Sequence, residues 1–406
     1  MFEMRHAITA YWRARRLRTK ADLKHRQRIS LHHWLHNSVP RVPRYAGFRG
    51  KLDDLPMMDK VALMADFGSF NTAGIDADAG WAAFAGDKRI GDYIIGASTG
   101  TSGNRGLFVI SQAERYRWLG TILAKALPGF WRQRHRIAVI LPLNTPLYDS
   151  ANRTKALRLK FFDLAEDWTK ALINFDPTVI IAPPKILVHL AQQRTPISPK
   201  HIFSGAEQLD LLDRHLIAEY FTTTIREIYM ATEGLFAVSC PLGTLHLCED
   251  TMHFELPPVG DDPNLREVII SDFSRTTQIM ARYRMNDLVR LAAQPCPCGS
   301  PLMAISEVVG RRDDCFRLGA HRVLITPDLI RNAIVDSDRR ITDFRVTQTG
   351  PNQVVLQTDV AGHVALDGLI SLFRKKGANV NVLLSHEPMI APKGRKLRRV
   401  KNACAS

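Results

Sequence analysis

Between His135 and Glu233 the chain changes hydrophobic period again and again. "HRIAVILP", "LKFFDL", "TVIIAPP", "HIFSGAEQ" and "REIYMATEG" are short apolar runs, several ending in turn residues. Between them stand "LYDSANRTKALR", "AEDWTKALINF", "KILVHLAQQ" and "LLDRHLIAEYF", which read as helices. A short apolar run suits a strand buried on both faces, and an amphipathic segment suits a helix laid over one face. Their alternation predicts a layered α/β fold with mostly parallel pairing.

The flanks extend this pattern. Residues 1–50 read as helical, then loop-like through "SVPRVPRYAGFRG". "DLPMMDKVALMADF" reads as a turn into a helix, with Asp59 as its cap. "DYIIG" and "GLFVIS" read as strands around a Gly-rich turn, and "SQAERYRWLGTILAKAL" as an amphipathic helix. After about residue 234 the reading is strand-rich, in "HFELP", "REVIISDF" and "IMARYRMNDLVRL". From Arg311 a small α/β unit follows and ends in a basic tail. At 406 residues the chain is too long for one ordinary core, and roughly two or three domains are expected.

No apolar run is long enough for a transmembrane helix, and "MFEMRHAITAYWRARRLRTK" lacks the apolar stretch of a secretion signal. A cytoplasmic protein is the expectation. Net charge is +15, concentrated in Arg13–Arg28 and Lys393–Lys401. Such an excess favours polyanions: nucleic acid, anionic lipid, nucleotides or an acidic carrier protein. The first cluster reads equally as a solvated helix face. No nucleic-acid module signature accompanies it, and Trp12 is its one stacking residue. A basic nucleic-acid-binding protein is therefore the lesser alternative. The oligomeric state, a homodimer included, is left open.

Of six cysteines, four fall between 240 and 298. Cys240, His246, Cys296 and Cys298 form Cys-x5-His plus Cys-x-Cys, flanked by "CPLG" and "PCPCG". Four thiolate or imidazole ligands on short loops suit a structural Zn²⁺ site with no open position for catalysis. Cys248 and His253 are substitute ligands, and ordinary buried thiols are the plain alternative. "GASTGTSGNRG" packs four glycines and five hydroxyl or amide side chains into Gly96–Gly106. Two residues, not four, separate Gly100 from Gly103, so it is not a Walker loop. Permissive backbone interleaved with Ser98, Thr99, Thr101 and Ser102 can turn N–H groups toward an anion. A tight turn is the plain alternative.

This loop is followed in order by "FSGAEQL", "YMATEG", "CPLGTLHLCED", "YRMNDL", "CPCGSPL", "GRRDD" and "PKGRKLRR". With "LPMMDKVALMADF" ahead of it, the ordered set resembles the adenylate-forming (ANL) superfamily over roughly residues 50–400. The detail resembles the branch of phenylacetate-CoA ligase and the deazaflavin (coenzyme F) adenylating synthetases. The resemblance implies a large N-terminal multi-layer α/β domain of the acyl-CoA synthetase type over 1–311. A small mobile C-terminal α/β domain over 312–406 would carry the catalytic lysine. It implies an ATP-dependent ligase in which a carboxylate attacks the α-phosphate, giving an acyl-adenylate and pyrophosphate. The thiol of CoA or an acyl carrier protein then displaces AMP. An aryl or medium-sized hydrophobic acid is the implied substrate, bound between the Ser-Gly-Ala-Glu turn and the Tyr229 strand. The alternative acceptor is a hydroxyl, as in the deazaflavin synthetases.

Carried over residue by residue, Ser98, Thr99, Gly100, Thr101, Ser102 and Gly103 would hold the β- and γ-phosphates. Arg105 replaces the family's lysine as a phosphate fork. Gly205, Ala206 and Glu207 would lie against the adenine, although a strand-to-helix turn with Glu207 near the helix start reads equally well. Tyr229 would flank the purine or the substrate. Thr232 and Glu233 would contact phosphate and Mg²⁺. Asp287 would accept the ribose hydroxyls, or else pair with Arg282 or Arg284. Arg311 would reach the ribose or phosphate, and Asp313 sits at the hinge. Lys396 is the candidate adenylating lysine, with Lys393 its rival. Structural zinc occurs in some members of this branch.

Overall fold

The computed structural model describes residues 2–98, 105–141, 156–164, 167–338, 340–387, 389 and 398–404. Helices α1 (Phe2–Arg15) and α2 (Lys20–Asn37) open the chain. A capping box between Thr19 and Asp22 fixes the start of α2. The expected cap is in place on α3 (Lys60–Ala65): the Asp59 carboxylate accepts the Ala62 N–H at 2.9 Å. Next come α4 (Ala77–Ala85), which sequence reading did not separate, and a small antiparallel sheet. Its strands are β1 (Arg89–Ile90), β2 (Tyr93–Ala97) and β3 (Leu107–Ile110). The Gly-rich turn joins β2 to β3.

Helix α5 (Gln112–Ala126) begins with a second capping box, Ser111 with Glu114. The buried Glu114 carboxylate also accepts the Thr276 and Thr277 N–H groups at 2.6 and 2.8 Å. It thereby ties the helix start to a distant loop. At Gly120 a Cβ would lie 2.0 Å from the Ala7 carbonyl oxygen, so glycine is what lets α1 pack this closely on α5.

The predicted alternation forms the parallel half of the main sheet. Strands β4 (His135–Val139), β5 (Leu157–Phe161), β6 (Val179–Ala182), β7 (His201–Gly205) and β8 (Ile225–Ala231) lie in the order 5-4-6-7-8. Helices α6 (Trp168–Phe175), α7 (Pro184–Gln192) and α8 (Leu211–Ala218) alternate with them. Most of "LYDSANRTKALR" lies outside the described residues.

Beyond β8 the pairing turns antiparallel. Strands β9 (Gly234–Ser239), β10 (Leu245–Leu247), β11 (His253–Glu255), β12 (Leu265–Ser271), β13 (Tyr283–Leu291) and β14 (Ala304–Arg311) complete an 11-stranded sheet. Their order from β8 is 9-10-14-13-12-11.

The remaining elements are β15 (Phe316–Leu318), β16 (Val323–Ile325), α9 (Pro327–Ser337), β17 (Phe344–Gly350), β18 (Gln353–Thr358), α10 (His363–Lys375), β19 (Asn381–Leu384) and β20 (Val400–Asn402). Four of these strands form a sheet in the order 19-18-17-20. Its core, which includes Phe344, Val346 and Phe373, draws only on residues 316–400. No described helix is long and apolar enough to cross a membrane. The architecture is α/β, with the parallel strands in the half of the main sheet where the alternation predicts them.

Candidate active site

The carboxyl ends of β7 and β8 meet β13 and β14 around a cavity of about 240 Å³. Local backbone irregularities aim the side chains there. Ala206, just past β7, has φ +68°, a left-handed conformation rare for a residue with a Cβ. The turn puts Ala206 and Glu207 on the cavity wall, with Gly205 at the strand end behind them. A register shift between Tyr229 and Met230 interrupts β8 against β9. On β13, Asn286 (φ +63°) precedes Asp287, which lies opposite Arg311 of β14.

Tyr229, Asp287 and Arg311 all line the cavity, and the Tyr229 hydroxyl donates to Asp287 Oδ2 at 2.6 Å. Burial, together with the neighbouring Asp287 charge, pushes the Tyr229 pKa well above its ordinary value, so the phenol remains a donor. The alternative partners of Asp287 are engaged elsewhere: Arg282 with Glu255 and Arg284 with Glu267. Asp313 accepts from Asn286 Nδ2 at 2.5 Å, beside Asp287 in sequence.

Thr232 and Glu233 close the turn after β8. Glu233 is buried. Its Oε1 accepts the Tyr283 hydroxyl at 2.9 Å and lies 3.7 Å from Lys60 Nζ; its Oε2 accepts the Thr232 hydroxyl at 2.6 Å. Burial alone would raise the Glu233 pKa, but Lys60, Thr232 and Tyr283 outweigh it and hold the carboxyl below its ordinary value. An ionised, enclosed carboxylate with lone pairs to spare is a donor set that suits a hard cation such as Mg²⁺.

Lys60 arrives through a bridge between Met58 and Tyr283. It also adjoins the Gly-rich hairpin, because a Cβ on Gly106 would lie 3.2 Å from Lys60 Cε. At that hairpin the Ser98 N–H donates to the Gly106 carbonyl at 2.8 Å, and Ser98 Oγ accepts the Gly106 N–H at 2.8 Å. Thr99, Gly100, Thr101, Ser102 and Gly103 lie outside the described residues, as do Lys393 and Lys396. Arg105 lies over the Trp81 and Phe84 rings at 4.9 and 5.6 Å.

The C-terminal segment closes one side of the cavity. Arg398 pairs with Asp314. Arg399 bonds both oxygens of Asp213 at 2.9 and 3.0 Å, Asp210 at 2.6 Å and Asp343 at 3.2 Å. Burial alone would lower the Arg399 pKa, but Asp213 and Asp210 outweigh it and raise it.

A second cavity, about 80 Å³, shares Met230 and Ala231 with the first and also touches Thr232. The space between the Ser-Gly-Ala-Glu turn and the Tyr229 strand, expected to hold the acid, therefore belongs to the larger cavity.

Away from both cavities, the β9–β10 hairpin and the loop from β13 to β14 bring Cys240, His246, Cys296 and Cys298 together. Their ligand atoms all lie within 4.8 Å of one another. Cys240 Sγ is 3.8 Å from Cys296 Sγ, and Cys298 Sγ is 3.3 Å from His246 Nε2. Zinc–sulfur bonds of about 2.3 Å give a tetrahedral edge of about 3.8 Å, so the four residues fit zinc. His246 Nδ1 lies 3.0 Å from the Leu302 carbonyl, which fixes the tautomer that frees Nε2 as a ligand. Of the two substitute ligands, Cys248 is buried elsewhere beside Lys125 and Asp250, and His253 opens β11; neither joins the cluster.

Sequence reading did not assign Lys60, Arg275 or Arg399. Lys60 stands inside a quoted motif, "LPMMDK", and was the most readable of the three. The partners of Arg275 and Arg399 are set by long-range packing and leave no local pattern.

No protein-family model matches the chain. A 265-residue stretch is 23% identical to Protein CapK of Staphylococcus aureus, covering 62% of this chain and 56% of that protein. The chain thus matches a little over half the length of that curated relative. Among solved structures, 2-hydroxyisobutyryl-CoA ligase in its postadenylation state with R3-HIB-AMP superposes with a TM-score of 0.67 at 17% identity, over 95% of this chain and 90% of that one. The same ligase in its thioesterification state gives 0.53 at 18% identity, over 95% and 89%. O-succinylbenzoate Coenzyme A synthetase from Bacillus subtilis, with AMP, gives 0.54 at 15% identity, over 75% and 67%. These likenesses are of fold.

Proposed function

We propose that the chain is an ATP-dependent ligase that converts a carboxylic acid to an acyl-adenylate and passes the acyl group to the thiol of CoA or a carrier protein. The observation that carries this reading is one cavity walled by Ala206, Glu207, Tyr229, Asp287 and Arg311, with Thr232 and the buried Glu233 following its Ala231 in the chain. Adenylation brings two anions together, so the protein's work is alignment and charge neutralisation. Asp287, oriented by Tyr229, accepts the ribose hydroxyls. Arg311 supplies positive charge, and Ala206 and Glu207 flank the adenine. Lys60, beside the Gly-rich hairpin, supplies a cation near the site in addition to Arg105, whose Nε donates to the Ser98 carbonyl at 3.4 Å on the same hairpin. Mg²⁺ held by Glu233 would neutralise phosphate oxygens. Residues 1–311 form the adenylating unit, and residues 312–406 form the small unit that changes position between the two half-reactions.

The test is acid-dependent ATP–pyrophosphate exchange, with hydroxamate trapping of the adenylate. Pyrophosphate release that needs a hydroxyl acceptor instead of an acid would overturn the reading. Within the same assay, Lys396→Ala is expected to lower exchange at least about tenfold, with Lys393→Ala near the parent. The reverse would relocate the adenylating lysine.

The cysteine–histidine cluster is proposed as a structural zinc site. Elemental analysis should find one zinc per chain, most of it lost in Cys298→Ser. That variant and chelator-treated parent should melt at lower temperature than the parent, since structural zinc contributes directly to folding. A metal-free parent with unchanged melting would sink the assignment.

A further inference from the structure

The second cavity constrains the acid. Resting on the proposed adenylation, the acid must sit where its carboxylate meets the α-phosphate, which Thr232 would contact. The second cavity touches Thr232 and shares the lining residues Met230 and Ala231 with the nucleotide cavity. Phe108, Ile110, Leu235 and Met252 give it apolar walls. Its volume of about 80 Å³ is small, against about 150 Å³ for a dry cavity that accepts benzene.

Its polar lining is more informative. Arg275 is 9% exposed and lines this cavity. Its Nη2 donates to the Thr232 carbonyl at 2.9 Å, and its Nε lies 3.6 Å from Asp272 Oδ2. Its Nη1 is buried and has no hydrogen-bond partner among the described residues. A buried donor without a partner is costly, and so is a ligand that leaves it so. The other charged groups on the cavity are Glu114, Arg117 and Asp272. Two cations thus face two carboxylates, which favours a neutral acceptor over a second negative charge.

We propose that the chain selects a short acid bearing a neutral hydrogen-bond acceptor, a hydroxyl or carbonyl oxygen, at the end remote from its carboxylate, and that Arg275 reads that acceptor. This turns the substrate expectation from aryl acids toward small oxygenated ones. A site built to bond a polar group rejects the analogue lacking it far more strongly than an apolar pocket rejects a missing methylene.

The experiment compares 3-hydroxybutyrate, 4-hydroxybutyrate, butyrate and phenylacetate in ATP–pyrophosphate exchange. The better hydroxy acid is expected to exceed butyrate in kcat/KM by about 10²-fold or more, with phenylacetate at background. In Arg275→Met that ratio should collapse to within about tenfold, because the hydroxy acid loses its partner. Should that variant fail to fold, the parent's ratio alone decides. Preference of the parent for butyrate or phenylacetate overturns this inference and leaves adenylation standing. An unchanged ratio in folded Arg275→Met overturns the role of Arg275. Exchange with no acid at all overturns both this inference and the proposed function.

Discussion

Glu233→Gln is expected to lower ATP–pyrophosphate exchange by about 10²–10³-fold, the usual loss when one preorganised electrostatic group is removed. The substitution keeps volume and shape and removes charge. Glu233 is enclosed, and three groups settle on its two oxygens: Tyr283, Thr232 and Lys60. They are what keep it ionised against the cost of burial. An amide can still accept from Tyr283, so the loss should appear in catalysis and in the Mg²⁺ concentration required, with a smaller change in melting. Exchange within about threefold of the parent would remove Glu233 from the site. The companion variant Lys60→Met tests the cause. Losing the cation raises the Glu233 pKa. A carboxylate with a depressed pKa is fully ionised above its ordinary range and loses its charge only as pH falls through the depressed value. Removing Lys60 shifts that loss upward, so the acid limb of the exchange profile should move to higher pH than in the parent.

What the sequence made legible follows from how the information is stored. Parallel strands buried on both faces announce themselves as continuous apolar runs, and Val179–Ala182 and Ile202–Phe203 were readable on that basis. The antiparallel strands β10 and β14 were not. Leu245–Leu247 offers three residues, and Ala304–Arg311 mixes charge with apolar positions. Their pairing is dictated by the partner strand more than by their own composition. At the site, Tyr229, Asp287 and Arg311 are individually ordinary residues, visible only because a set of motifs stood in a known order. The four residues of the cysteine–histidine cluster were named from their spacing, with the resemblance as added support, and the fold brings their ligand atoms within 4.8 Å of one another. Arg399 sat inside a tail read as basic, yet it is 5% exposed and surrounded by three carboxylates. Burial of a charge by a distant partner has no sequence period to betray it.

Arg399 carries the second large expectation: Arg399→Met should destabilise the contact between the two units by about 3–5 kcal/mol, the cost of breaking a buried ion pair from one side. An exposed pair would be worth about 0–1 kcal/mol, so burial decides the magnitude. Asp210 and Asp213 belong to the start of α8, whereas Asp343 and Arg399 belong to the small unit. Arg331 of α9 adds a second tie to Asp210 at 2.7 Å. Removing Arg399 leaves Asp213 buried, where desolvation and the nearby Asp210 already raise its pKa. Thermal unfolding and hydrogen exchange at α8 should report the loss. The double variant Arg399→Met/Asp213→Asn should cost less than the sum of its parts, because contacting partners are not additive. Under the proposed two-step function the small unit changes position between the half-reactions, so loosening the clamp should affect exchange and thioester formation from supplied acyl-adenylate unequally. Equal losses in both half-reactions would reduce the clamp to a plain stabilising contact, and unchanged melting with unchanged exchange would show that it holds nothing in solution.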